Sequence, residues 1–230
     1  MVQESPITLR VKFRKVGKLA YVSHLDLVRT MTKIVTRAGL PLYYTEGFNP
    51  KPKMTFAAPL SIGTESLCEY MDIRLTERAD TDEMLLSLNR NMTEDMQAIS
   101  AYYPENKLIA IKWIDYKIRI KTNGADAPLA ERVAELLNRE ELLCERKTKK
   151  GEVVSVDIAP LIKKAECEFK DGVIEIKATL SAAPDSFLNP ERIIKLLESE
   201  LKILNSENLI EEYYSIMRER AYFEDMTEFR

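Results

Sequence analysis

The chain has 230 residues, 45% of them hydrophobic and 31% charged, with a net charge of −3. That length suits one large or two small domains with buried cores, and the composition is that of an ordinary globular protein. No apolar run approaches the ~18 residues that a membrane span requires, so no membrane segment is expected. The opening MVQESPITLR lacks the apolar core of a signal peptide, which points to a cytoplasmic protein. Cys68, Cys144 and Cys167 lie far apart and form no CxxC, so zinc-ribbon and iron–sulfur sites fail on ligand count. Reduced thiols are the simplest account of them. The charge is unevenly spread: residues 1–60 hold ten Lys/Arg against three acids, while the other 170 hold 24 bases and 34 acids. Such polarity suggests a basic face for an anionic partner on an acidic body.

In chain order, Thr8 to Val16 alternates Leu9, Val11, Phe13 with Arg10, Lys12, Arg14, the period of a strand with one face on a core and a positive face toward solvent. Gly17 permits a turn, and Leu19 to Val22 is expected to continue extended. Ser23, three residues before Asp26, then opens a helix as a capping box. Leu27, Met31, Ile34, Val35 and Ala38 trace its apolar stripe, and Arg29, Lys33 and Arg37 repeat every four residues on another face. Three cations in one row repel mildly, so an anionic partner or plain solvation explains them better than helix stability does. Gly39 stops the helix and Pro41 prevents its resumption.

The segment from Tyr43 to Lys53 contains Gly47, Pro50 and Pro52, and its prolines predict an extended, polyproline-like path. Lys51 and Lys53 with Tyr43, Tyr44 and Phe48 form a mixture suited to phosphate contact and base stacking. The alternative is a connector whose aromatics turn inward, which Phe48 fits best. Met54 to Ala58 reads as a strand, Pro59 to Ser66 as a turn and Cys68 to Leu75 as a strand. A helix from Thr81 and a strand from Met96 to Tyr102 complete a β-α-β-β-α-β order.

After the linker Pro104-Glu105-Asn106, a strand is expected over Leu108–Thr122 and a helix over Pro128–Asn138. Strands at Leu142–Lys147 and Val153–Asp157 would flank a Lys149-Lys150-Gly151 turn. Ala165–Phe169 and Val173–Leu180 flank Lys170-Asp171-Gly172, a hairpin signal. Asn189-Pro190 starts a helix, and the tail Leu209–Phe223 leans toward a closing edge strand. The fold class expected is α+β: two ferredoxin-like (split βαβ) domains, residues 1–104 and 107–230, with antiparallel sheets and helices on one face.

Four segments carry a resemblance: Ser23-His24-Leu25-Asp26, Arg37 to Pro41, Glu46 to Lys53 and Pro59 to Ser66. In these the chain resembles the radical-SAM-linked family of bacterial proteins, DUF2344, whose members are fused behind or encoded beside a radical S-adenosylmethionine protein. The resemblance implies association with such an enzyme. The chain lacks the three-cysteine cluster motif and is not itself expected to be that enzyme. The N-terminal half is also similar, more distantly, to Cas6-type RNA-processing endonucleases with paired ferredoxin-like domains, a likeness of fold.

His24 is the only histidine. As an acid or base it would make the chain a metal-independent endoribonuclease, with Lys51 or Arg29 facing the developing phosphorane charge. A lone histidine at a helix start more often packs or caps, so His24 is the weakest of the candidates. Glu46, Glu65, Glu69 and Asp72 lack the short spacing of a metal site, and neither GxGxxG nor GxxxxGK[ST] occurs, so no metal or cofactor is expected. The reading reached is an RNA-binding accessory protein that works with a radical SAM enzyme in tRNA or rRNA modification. Arg29, Lys33, Arg37, Lys51 and Lys53 would meet phosphates, and Tyr43, Tyr44 or Phe48 would stack a base. The alternative is a subunit that docks on the radical SAM partner without touching RNA.

Overall fold

The alternation at the start of the chain forms β1 (Ile7–Lys15), whose Leu9, Val11 and Phe13 are buried. In the computed structural model, which describes residues 6–147, 151, 153–205 and 210–230, the chain divides into two units. The first is Met1–Ala110 with Arg230, and the second is Ile111–Phe229. The architecture is α+β, with four α-helices among the described residues. No helix among them is long and apolar enough to cross a membrane.

In the first unit β1 is followed by a 3-10 turn (Gly17–Tyr21), α1 (His24–Arg37), β2 (Met54–Phe56), β3 (Thr64–Leu75), α2 (Thr81–Asn89) and β4 (Ala98–Tyr102). The strand order is β4-β1-β3-β2, antiparallel throughout. Ser23 caps α1 as its spacing predicts. Its hydroxyl oxygen accepts from the Asp26 amide at 3.2 Å and its hydroxyl donates to the Asp26 carboxylate at 2.7 Å. Leu27, Met31, Ile34 and Val35 bury one side of the helix against β1 and β3, each contributing about 1.5–3 kcal/mol by leaving water. The helix ends at Gly39, whose φ of +69° is the left-handed stop that glycine adopts without strain.

Two expectations fail here. Leu19 to Val22 is not extended: residues 17–21 wind into the 3-10 turn, which Gly17 enters at φ +61° with its amide donating to Glu65 Oε1 at 2.6 Å. β3 also begins at Thr64, inside the stretch read as a turn.

The second face of β1 is the larger correction. Arg10 is fully buried. It lies directly opposite Asp72 on β3 and Tyr102 on β4. Its Nε and Nη2 donate to the two Asp72 oxygens at 2.7 and 3.0 Å, a bidentate pair. Its remaining donors reach the Asn106 side chain and carbonyl, both at 2.8 Å. Lys15 is buried too, with Nζ 3.4 Å from the Ala20 carbonyl. Arg14 donates to the Glu94 carbonyl. The alternation correctly separates two faces, but Asp72 and Asn106, not water, receive the charge at the centre of the second.

The second unit runs β5 (Trp113–Lys121), α3 (Ala127–Leu137), β6 (Leu143–Lys147), β7 (Val153–Asp157), β8 (Ile162–Lys170), β9 (Val173–Ser181), α4 (Glu191–Leu201) and β10 (Tyr213–Tyr222). Its order is β10-β5-β9-β8, again antiparallel, with β6 and β7 paired as a separate hairpin. In both units, therefore, the last strand lies beside the first and the first beside the penultimate. Asp171 and Gly172 sit at φ 52° and 77°, as the Asp-Gly hairpin signal requires. Residues 108–110 form a 3-10 turn, so β5 starts later than expected. Lys149, Lys150 and Leu209 lie outside the described residues.

Cys68 and Cys144 are buried and Cys167 is half-buried, all three as free thiols. Burial pushes the Cys167 thiol up to about 12 and raises that of Cys144 as well.

Two outcomes are expected. Arg10→Met should lower the unfolding free energy in urea by about 3–5 kcal/mol, because it leaves the Asp72 carboxylate without its cation; pairing it with Asp72→Leu should recover most of the loss. A change under about 1 kcal/mol would mean the pair is dispensable. At about pH 8.5, iodoacetamide should label Cys167 in the native protein far more slowly than in urea, because a raised thiol pKa leaves little reactive thiolate below it.

Candidate nucleic-acid interface

The segment between α1 and β2 is a narrow two-stranded arm, not the polyproline-like path its prolines predict. Leu40 and Leu42 are buried and tether its base, with Leu42 bridging Leu75. At the root, the Tyr43 amide donates to the Arg74 carbonyl at 2.8 Å and the Arg74 amide to the Lys53 carbonyl at 2.9 Å. The Lys53 amide closes the ring on the Tyr43 carbonyl, also at 2.9 Å. Further out, the Thr45 amide donates to the Lys51 carbonyl at 2.8 Å, and the Lys51 amide to Thr45 Oγ1 at 3.1 Å.

Pro52 does not break this ladder because it bridges Tyr44 at a pair where no N–H is called for. The bonded rungs fall on either side, at Tyr43 with Lys53 and Thr45 with Lys51. Beyond them Glu46-Gly47-Phe48-Asn49-Pro50 forms an exposed tip, turned by Gly47 at φ +120°. Phe48 has a relative exposure of 111%, as open as in an unfolded chain. The inward path entertained for it is therefore wrong. Nothing in the tip offers a core to turn into, since the chain reverses one rung short of it.

Strand alternation divides the arm's side chains between two faces. Tyr43, Thr45, Lys51 and Lys53 share one, and the Lys53 ammonium stands 5.7 Å over the Tyr43 ring. Tyr44 and Pro52 share the other. Tyr43 and Tyr44 thus cannot stack on the same base. Among ionisable groups the tip carries only Glu46, so the arm's cations belong to its stem.

On α1 the three cations are not equivalent. Arg29 donates to Asp26 Oδ1 at 3.0 Å, both side chains being mostly exposed. The Ser23 hydroxyl first and the Arg29 guanidinium second hold the Asp26 carboxyl below its ordinary range. Lys33 and Arg37 are exposed and make no ion pair among the described residues, and neither does Lys51. Of the ten bases in residues 1–60, Arg10, Lys15 and Arg14 are thus committed inside the first unit, and Arg29 is committed to its own helix.

His24 is exposed and sets its ring edge-on against Phe56, centroids 5.7 Å apart at 89°. That contact joins the start of α1 to β2, the strand that leaves the arm. Reasoning from sequence missed Arg74, whose peptide group closes the root, because a backbone role leaves no side-chain signal. It also missed three exposed apolar side chains, Tyr21, Leu25 and Ile62. Gly63 links two of them: its amide donates to the Ala20 carbonyl, and a Cβ there would lie 4.0 Å from the Tyr21 ring.

The model of the family described as an uncharacterized protein conserved in bacteria, DUF2344, matches residues 8–190, and the chain belongs to that family. No curated protein matches the sequence. Among solved structures, a chain of the crystal structure of a Cbf5-Nop10-Gar1 complex is similar in fold, with a TM-score of 0.50 at 9% identity. The alignment covers 93% of this chain and 48% of that one, so the chain spans about half the length of its structural neighbour. DyPB from Rhodococcus jostii RHA1 aligns over 94% of this chain and 91% of its own at 9% identity, but its TM-score of 0.22 supports no structural argument.

The arm's geometry makes Gly47 sensitive to any side chain. A Cβ there would meet nothing within 4 Å, so only the backbone conformation resists substitution. Gly47→Val should cost about 1–3 kcal/mol locally and reduce amide-exchange protection at Thr45 and Lys53, with the global urea midpoint unchanged. Unaltered protection at those two amides would show that the tip does not govern the ladder.

Proposed function

We propose that this DUF2344 member is an RNA-binding accessory protein of the cytoplasm that works with a radical SAM enzyme in the modification of tRNA or rRNA. The observation that carries the reading is the exposed stem of the arm. Lys51 and Lys53 lie two residues apart on one strand face, beside Tyr43 and below a fully exposed Phe48. Residues two apart on a strand stand roughly 6–7 Å from one another, a spacing suited to successive phosphates of an extended strand. Lys33 and Arg37 on α1 supply further exposed cations that make no ion pair among the described residues. Arg29 is a lesser contributor, because Asp26 already neutralises it.

The same strand order in both units, each with two α-helices in its sequence, supports reading them as a pair of ferredoxin-like domains. The radical SAM partnership rests on the resemblance of the four N-terminal segments, with family membership beside it.

A second reading, docking on a protein partner without RNA contact, is favoured by exposed Tyr21, Leu25 and Ile62, which no polar recognition requires. An endoribonuclease built on His24 has the least support, since the described contact of its ring is with the apolar ring of Phe56.

The test is purification without nuclease, sequencing of co-purifying RNA and titration of that RNA against salt. Affinity should fall steeply as salt rises, and Lys51→Ala should flatten the slope by about 0.7 in log–log units, the share of one phosphate on a single strand. A partner that stays bound after ribonuclease treatment, together with RNA affinity that salt does not alter, would replace RNA binding with the docking reading.

A further inference from the structure

Resting on the RNA-binding reading, we infer that the arm is a wedge: Phe48 inserts beside an unpaired base while the lysines of the stem hold the flanking phosphates. The ligand class is therefore single-stranded or looped RNA, not continuous duplex.

The division of chemistry along the arm carries this inference. An element that tracks a phosphate backbone places its cations where it reaches farthest. Here the farthest part has none: its one ionisable group is Glu46, which repels phosphate, and its most exposed side chain is the apolar ring of Phe48. Lys51 and Lys53 stand behind it, at the last two bonded rungs. A ring in water loses nothing by stacking on a base, and every base presents a π-face, so the contact needs no hydrogen-bond code. Bases in a continuous A-form helix are stacked on their neighbours and closed to such a ring. Loops, bulges and ends offer splayed ones.

The arm is also built to deliver the ring. Two bonded rungs and the ring of bonds through Arg74 hold the stem, and Pro50 and Pro52 remove backbone freedom on the returning strand. The stem itself therefore needs little ordering on binding. Tyr43 is engaged by Lys53 and Tyr44 faces the opposite side, so Phe48 is the one aromatic of the three whose whole ring is free for a base.

The experiment uses the full chain and a short single-stranded RNA containing one 2-aminopurine, alone and annealed to its complement. The wild type should bind the single strand more tightly and change its fluorescence. Phe48→Ala should weaken binding about 5- to 150-fold, the range of one base–aromatic stack, and abolish the fluorescence change with the salt slope intact. Phe48→Trp should preserve both. Amide protection at Lys53 serves as the check that the arm is still folded in each variant.

If Phe48→Ala binds and perturbs the probe as the wild type does, while Lys51→Ala still flattens the salt slope, the wedge is overturned and RNA binding stands. Equal affinity for duplex and single strand overturns it likewise. If Phe48→Ala instead abolishes ribonuclease-resistant capture of a protein and leaves RNA affinity unchanged, the tip is a protein anchor and the wedge fails. If no RNA binds the wild type, the RNA reading itself has failed.

Discussion

The peptide group of Arg74 is the constraint from which the candidate site is suspended. Its carbonyl accepts from Tyr43 on the outgoing strand of the arm and its amide donates to Lys53 on the returning one. The Lys53-to-Tyr43 bond completes the ring, so the two strands cannot part without losing bonds to β3 as well. β3 can play this role because it lies between β1 and β2 in the first unit, with Met71, Ile73 and Leu75 buried beneath α1. A hairpin of this size would not hold by itself in water. Rooted on a buried strand, it can project a ring into solvent and keep it in one place.

The charges of the first sixty residues follow from the same arrangement. A sheet with helices on one face must do something with the other, and here the middle of that face is closed by a bidentate Arg10–Asp72 pair with Asn106. Taking a guanidinium out of water is costly unless its donors are met, and the bonds to Asp72 and Asn106 engage four of its five N–H groups. The excess of bases near the N-terminus is therefore two populations. One part is internal and holds the sheet together. The other, which includes Lys18, Lys33, Arg37, Lys51 and Lys53, is exposed, as is Arg29 in its pair with Asp26. Net charge by segment counts both alike, which overstates the electrostatic reach of this region.

Most of the strands and all four helices were legible, because period-two and period-3.6 patterns are imposed by burial on one side. Ser23 with Asp26, and Asp171 with Gly172, were legible for a more local reason: capping and left-handed turns restrict residue type directly. The arm was not. Pro50 and Pro52 argue for an extended path whenever the pairing partner is unknown, and only the register of Tyr44 against Pro52 shows that the missing N–H is not needed. The identities of the outward cations were readable from composition, whereas the burial of Arg10 depends on Asp72 lying 62 positions away. Exposure of Phe48 was unreadable for the same reason. Whether a ring turns in or out depends on where the chain reverses.

That dependence bears on what kind of partner the molecule accommodates. An exposed phenylalanine is unfavourable in isolation, and a chain could remove the cost by folding the tip onto its own stem. The structure does not do so: the strands are bonded up to Thr45 and Lys51, and Phe48 stands fully exposed among the five residues beyond. In the RNA-binding reading, what relieves the exposed ring comes from outside and is reached past a stem whose two lysines admit an anion more readily than a cation. A base carried on a phosphate backbone meets both conditions at once, with the apolar face and the negative charge in the order in which the arm presents their complements.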